Sequence, residues 1–172
     1  MKEISRNHLY PSIAVYLKSL TLQHEKILDF GSGAKRFEID RQVVTYDPNP
    51  KAKADIQDLF DFGYTQYPLI YCNQVGEHVT DLSKLVRELY SVTERFLVFR
   101  CPHTWGPRGS HFNNWLRHWY KGNHDGTYWR TVGEYKVALE LYFPLVIDMR
   151  RQRHPWVWPI SHCDFLCVKG EI

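Results

Sequence analysis

The 172-residue chain contains no apolar run approaching the roughly 18 residues that a membrane-spanning helix requires. Its opening, Met1-Lys2-Glu3-Ile4-Ser5-Arg6, lacks the apolar core of a secretory signal, so a cytoplasmic address is the expectation. There is no internal repeat, low-complexity tract or linker, so one domain over residues 1–172 is expected. None of the four cysteines (Cys72, Cys101, Cys163, Cys167) forms a Cys-x-x-Cys pair, and they read as reduced core thiols. Cys163 and Cys167 lie four apart on an expected strand, at about 13 Å, too far to share one ion, so no metal is expected there. At 44% hydrophobic and 24% charged residues the composition is that of a folded domain rather than a disordered chain.

The most informative stretch is Lys26–Gly33, Lys-Ile-Leu-Asp-Phe-Gly-Ser-Gly, together with Asp47. Ile27–Phe30 reads as a short buried strand and Gly31-Ser32-Gly33 as the turn at its carboxyl end. Glycines there admit close approach of a ligand because no Cβ intervenes. Val43–Tyr46 reads as a second strand with Asp47 at its tip, where a carboxylate can accept from both hydroxyls of a ribose. A dinucleotide fingerprint would place a third glycine at position 36, where the chain has Arg36, and the Gly-Lys-Ser/Thr of a P-loop is also absent.

Further along, residues 1–25 predict an amphipathic helix with Ile13, Tyr16, Leu17 and Leu20 on one side. Ala34–Gln42 has room for only a couple of helical turns. Ala54–Ile56, Pro68–Cys72 and Arg95–Arg100 are expected strands, and Asp81 opens a helix striped by Leu82, Leu85, Val86 and Leu89. Thr131-Val132-Gly133-Glu134 is a capping box for a last helix, and Leu145–Ile147 and Asp164–Val168 are closing strands. This alternation specifies an α/β fold with a mostly parallel sheet and a closing hairpin.

Asp29-Phe30-Gly31-Ser32-Gly33, with an acid two residues ahead of the first glycine, resembles motif I of the class I S-adenosylmethionine-dependent methyltransferases. Tyr67–Asp81 resembles the strand-and-Glu-His segment of their small type 11-like branch, Phe96–Pro102 the following strand, and Tyr128–Phe143 the segment after it. The likeness spans roughly residues 26–150. It departs at Lys35, which replaces the last motif-I glycine, at Val92-Thr93-Glu94, which replaces a Pro-Gly-Gly turn, and at Leu141-Tyr142, which replaces an Ala-Gly pair.

The resemblance implies a Rossmann-like, mostly parallel seven-stranded sheet with helices on both faces and an antiparallel closing hairpin. It implies S-adenosylmethionine as cofactor, contacted by Asp29, Gly31, Ser32 and Gly33, with Asp47 on the ribose and Asp55 and Ile56 beside the adenine. Asn73 and Gln74 would line the methyl group. The Asn/Asp-Pro-Pro-Tyr/Phe of enzymes that methylate adenine or amide nitrogens is missing at that point.

His78 is a candidate general base, or else a brace of its loop, and His103 is the second candidate. Residues 100–130 and 150–162 together hold eight basic residues and one acid, a charge of +7 set against −4 elsewhere. Aromatics are interleaved among them. Trp105, Arg108, Trp115, Trp119, Arg150, Arg151 and Arg153 are therefore the candidate acceptor-binding residues, on a segment of about 101–130 and a loop after residue 149. An anionic or aromatic acceptor, small molecule or nucleic acid, would suit them; a lid core under a solvated basic face is the alternative. A non-catalytic protein that kept the fold and the cofactor is the rival function.

Overall fold

The computed structural model describes residues 11–33, 39–104, 128, 130–149 and 160–170. Six strands form one mixed sheet: Lys26–Phe30 (β1), Gln42–Tyr46 (β2), Tyr67–Asn73 (β3), Thr93–Thr104 (β4), Leu145–Asp148 (β5) and Ile160–Val168 (β6). Their spatial order is β2-β1-β3-β4-β6-β5. The first four run parallel, and β6 lies antiparallel between β4 and β5. Because β2 and β3 flank β1 on opposite sides, the order reverses there, and a crevice opens beyond the carboxyl ends of β1 and β3.

Two-residue alternation sends the strand side chains to two apolar layers. Leu28, Phe30, Ile70, Cys72, Leu97, Phe99 and Cys101 face one side. There they meet Leu85, Val86 and Leu89 of α2 (Leu82–Val92) and Tyr135, Ala138 and Leu139 of α3 (Val132–Glu140). Ile27, Leu69, Val98 and Leu166 face the other side and pack with Leu17 of α1 (Pro11–Ser19). A Leu or Phe buried this fully contributes about 1.5–3 kcal/mol relative to leaving it in water. All four cysteines are buried and free in the first layer.

Each of the later helices is started by a side chain. The Asp81 carboxylate accepts from Lys84 N–H at 2.9 Å and opens α2. In the expected capping box, Thr131 Oγ1 accepts from Glu134 N–H at 3.3 Å while Glu134 Oε2 accepts from Thr131 N–H at 2.8 Å. Helix α2 passes directly into β4. Thr93 Oγ1 donates to Leu89 O at 2.6 Å, and Lys169 Nζ donates to Tyr90 O and Thr93 O at 2.8 and 2.7 Å, which satisfies carbonyls that the helix end leaves over.

Three expectations change. The expected strand Ala54–Ile56 is a single parallel bridge, Tyr46 to Ile56, so the described sheet has six strands rather than seven. The cause is local: Asp55 Oδ2 takes both Thr45 N–H and Thr45 Oγ1–H at 2.9 Å, occupying the donor a longer ladder would use. The first helix covers Pro11–Ser19, with residues 1–10 outside the described residues. Strands β4 and β6 are longer than expected and pair as far as Thr104 with Ile160. Residues 34–38, most of the expected helical turns after β1, lie outside the described residues.

Candidate functional site

The glycine turn leaves β1 in a left-handed conformation that only glycine adopts readily, with φ of 76° at Gly31 and 62° at Gly33. Its amides are spent inside the chain. Gly31 N–H and Ser32 N–H donate to Tyr46 O at 2.7 and 3.0 Å, and Gly33 N–H donates to Asp47 Oδ2 at 2.8 Å. A pyrophosphate cradle needs such amides turned toward the ligand. Among the described residues the three amides of this turn are thus directed at the β2 tip rather than at a phosphate.

Asp47 is the link between the first two strand tips. Besides Gly33 N–H, it accepts Asn49 N–H on Oδ1 at 2.9 Å. A carboxylate offers about four lone-pair directions, so each oxygen keeps one for a second donor. Asp47 is partly exposed and Ser32 is buried, with its hydroxyl on Gly33 O at 3.3 Å. Asp29 is buried at the end of β1, directly opposite Tyr71 in register.

Asp55 is tied to Thr45, and Ile56 is tied to β2 through Ile56 N–H on Thr45 O at 3.0 Å and Asp47 N–H on Ile56 O at 3.2 Å. The Ile56 side chain is partly buried against the first apolar layer.

At the tip of β3 the Asn73 Oδ1 atom is buried and has no hydrogen-bond partner among the described residues. Gln74 follows with φ of 57°, a left-handed conformation uncommon outside glycine, and its N–H donates to Arg100 O at 2.8 Å. Val75 then lies over the glycine turn, for a Cβ built on Gly31 would collide with Val75 Cγ2. The glycine turn is thus tied to Asp47 through Gly33 on one side and covered by Val75 of the loop after β3 on the other.

The two histidine candidates are placed differently. His78 ends a short turn, Gly76–His78, with its ring about half exposed and Nε2 3.8 Å from Glu77 Oε1. His103 lies on β4 opposite Ser161, with its side chain outside the described residues. Trp105, Arg108, Trp115, Trp119, Arg150, Arg151 and Arg153 also lie outside the described residues.

Two members of the expected basic face are engaged internally. Arg100 is largely buried, with Nε 3.3 Å from Asp164 Oδ1 and a side-chain hydrogen bond to Tyr71. Burial pushes the Tyr71 hydroxyl up to about 12 despite Arg100 beside it, and burial, with Asp148 nearby, also raises the Asp164 carboxyl. Arg130 is 2% exposed and donates to Gly76 O, Val79 O and Thr80 O at 2.5, 2.6 and 3.0 Å. A count of charges along the chain cannot separate such arginines from solvated ones. The sequence signals for Arg130 are its place just ahead of the capping box and within the family-like segment Tyr128–Phe143.

The chain has the fold of the class I S-adenosylmethionine-dependent methyltransferases, as its similarity to solved structures shows. The chain is similar over 92% of its length to magnesium protoporphyrin IX methyltransferase from Synechocystis, solved with bound S-adenosylhomocysteine (16% identity, TM-score 0.63, 81% of that chain). It is similar over 93% of its length to phosphoethanolamine N-methyltransferase 2 from Haemonchus contortus, of which it spans 53% (11% identity, TM-score 0.66). The YcgJ protein of Bacillus subtilis is matched over 98% of its chain and 93% of this one (11% identity, TM-score 0.69). No protein-family model matches the sequence, and no curated protein sequence does. Among the described residues no helix is long and apolar enough to cross a membrane.

Proposed function

We propose that this protein is an S-adenosylmethionine-dependent methyltransferase, a single domain that acts on an anionic or aromatic acceptor. The observation that carries the reading is the Asp47 carboxylate, held by Gly33 N–H and Asn49 N–H at the tip of β2, with an acceptor direction left on each oxygen. That is the geometry for gripping a ribose diol next to a glycine turn whose amides are turned away from any phosphate. A single parallel bridge, Tyr46 to Ile56, extends the sheet beyond β2, and on this reading Asp55 and Ile56 would lie beside the adenine.

Bound S-adenosylmethionine would supply an electrophilic methyl carbon on a sulfonium. The chain's residues have the task of holding and orienting. Asp29, at the end of β1, offers negative charge to the cationic amino-acid end. Asn73 Oδ1 offers a buried acceptor at the tip of β3. Asn73 and Gln74 set the wall against which the acceptor is aligned, because in-line displacement gains most from a near-attack geometry. His78, about half exposed after the β3 loop, is the first candidate for general base, with His103 the second.

The acceptor reading rests on the basic and aromatic residues of 105–129 and 150–158, which include Trp105, Arg108, Trp115, Trp119, Arg150, Arg151 and Arg153. Arg100 and Arg130 do not contribute to it. Calorimetry with S-adenosylmethionine and S-adenosylhomocysteine, followed by an assay for S-adenosylhomocysteine release over a panel of acceptors, tests the proposal. Binding of both with turnover on an anionic or aromatic acceptor is expected. Binding of neither overturns the assignment, and binding without turnover on any acceptor favours a non-catalytic cofactor-binding protein. Turnover on a nucleic acid that falls steeply with salt would select that acceptor class over a small molecule.

A further inference from the structure

We infer that Arg130, a residue outside the crevice, is a positioning residue that sets the cofactor pocket through the loop after β3. The inference rests on the methyltransferase reading above. Arg130 is buried, with its guanidinium over the Tyr128 ring, 5.5 Å from the centroid. Its three hydrogen bonds all go to main-chain carbonyls of one loop: Gly76, Val79 and Thr80. Tyr128 N–H adds a fourth tie to the same loop, on Glu77 O at 2.5 Å. A planar fork of five donors can hold three carbonyls at once, which a lysine ammonium on a flexible stem holds less rigidly.

The loop so held has no slack on its other side. A Cβ on Gly76 would stand 2.8 Å from Phe99 Cζ, 2.9 Å from Cys101 Sγ and 3.1 Å from Tyr135 Cε1. Gly76 is therefore wedged between the core and the guanidinium. The residue before it, Val75, is the one whose Cγ2 fills the space over Gly31, and the residue before that, Gln74, carries the left-handed backbone. A left-handed non-glycine residue persists only where its surroundings over-determine it. The line of force runs from Arg130 to Gly76, to Val75, to the glycine turn.

The test uses the whole chain, with Arg130→Lys, Val75→Ala and the double variant. S-adenosylhomocysteine binding is measured by calorimetry well below each variant's unfolding temperature, and amide hydrogen exchange is followed without ligand. Arg130→Lys is expected to weaken binding about tenfold, with the double variant no weaker than the weaker single one, since both act through one contact. Exchange at Gln74 N–H and His78 N–H, bonded to Arg100 O and Val75 O, is expected to speed up. A lowered unfolding temperature with unchanged binding and unchanged exchange at those amides would make Arg130 merely structural and overturn the inference. Additive losses in the double variant would also overturn it. If Arg130→Lys does not fold, Val75→Ala alone decides: binding equal to wild type refutes the route through Val75. If wild type binds neither cofactor form, the methyltransferase reading fails, and the exchange data still decide whether Arg130 holds the loop.

Discussion

Replacing Asp47 by asparagine isolates the charge at the centre of the proposed site, because the carboxamide keeps the shape of the carboxylate. The two oxygens of Asp47 accept from Gly33 N–H at 2.8 Å and Asn49 N–H at 2.9 Å. An amide has one oxygen and one NH2 group, so one of those two donors must face another donor. A hydrogen bond to a charged group is worth about 1.5–3 kcal/mol, and at this partly exposed position a loss of about 1–2 kcal/mol of stability is expected. For the cofactor, an ionised acceptor shared by two ribose hydroxyls is lost. About 2–3 kcal/mol of binding is at stake, a factor of roughly 30 to 150 in Kd. Asp47→Ala removes the acceptors altogether and should bind no better than Asp47→Asn. Calorimetric titration with S-adenosylhomocysteine alongside thermal unfolding reads both effects. If Asp47→Asn binds within about twofold of wild type while its unfolding temperature falls, Asp47 is only the brace of the glycine turn and the ribose argument is refuted.

Gly76→Ala forces a Cβ into contacts of 2.8–3.1 Å with Phe99, Cys101 and Tyr135, and a loss of about 1–3 kcal/mol is expected from denaturant unfolding. An unchanged midpoint would mean the loop shifts freely. Thr131→Ala removes the capping box of α3, at a cost of about 0.5–2 kcal/mol by the same measurement. The four buried thiols give a pH dependence with a definite sign. Burial raises Cys72, Cys101, Cys163 (to about 12) and Cys167 above the ordinary value of 9.0. Above that value the unfolded thiols lose protons that the folded ones keep. Stability is therefore fully present below about pH 9 and falls as pH rises, by up to about 1.4 kcal/mol per pH unit for each thiol. Urea unfolding at pH 8, 9 and 10 checks this, and Cys163→Ala should flatten the slope by about one proton; a flat wild-type profile would contradict the burial of the thiols.

Local chemistry alone settled much of this molecule. The strand ends around Gly31 and Asp47, the Asp81 cap and the reciprocal Thr131–Glu134 cap follow from residues within a few positions of one another, and each forms as its pattern dictates. The period-two alternation of the strands likewise fixed which of the two apolar layers each side chain enters, Leu28, Phe30, Ile70 and Cys72 one and Ile27 and Leu69 the other. Folding in three dimensions decided the rest. Asp55 turned its carboxylate onto Thr45, ten residues back, and stopped a strand that its neighbours favoured. Arg100 found Asp164, and Arg130 found three carbonyls 50 to 54 positions away, which withdrew both from the basic face that a charge count assigns them. A hydrogen bond between residues far apart in sequence leaves no periodic trace in the chain. Whether an arginine meets solvent or a carbonyl is set by which strands become neighbours.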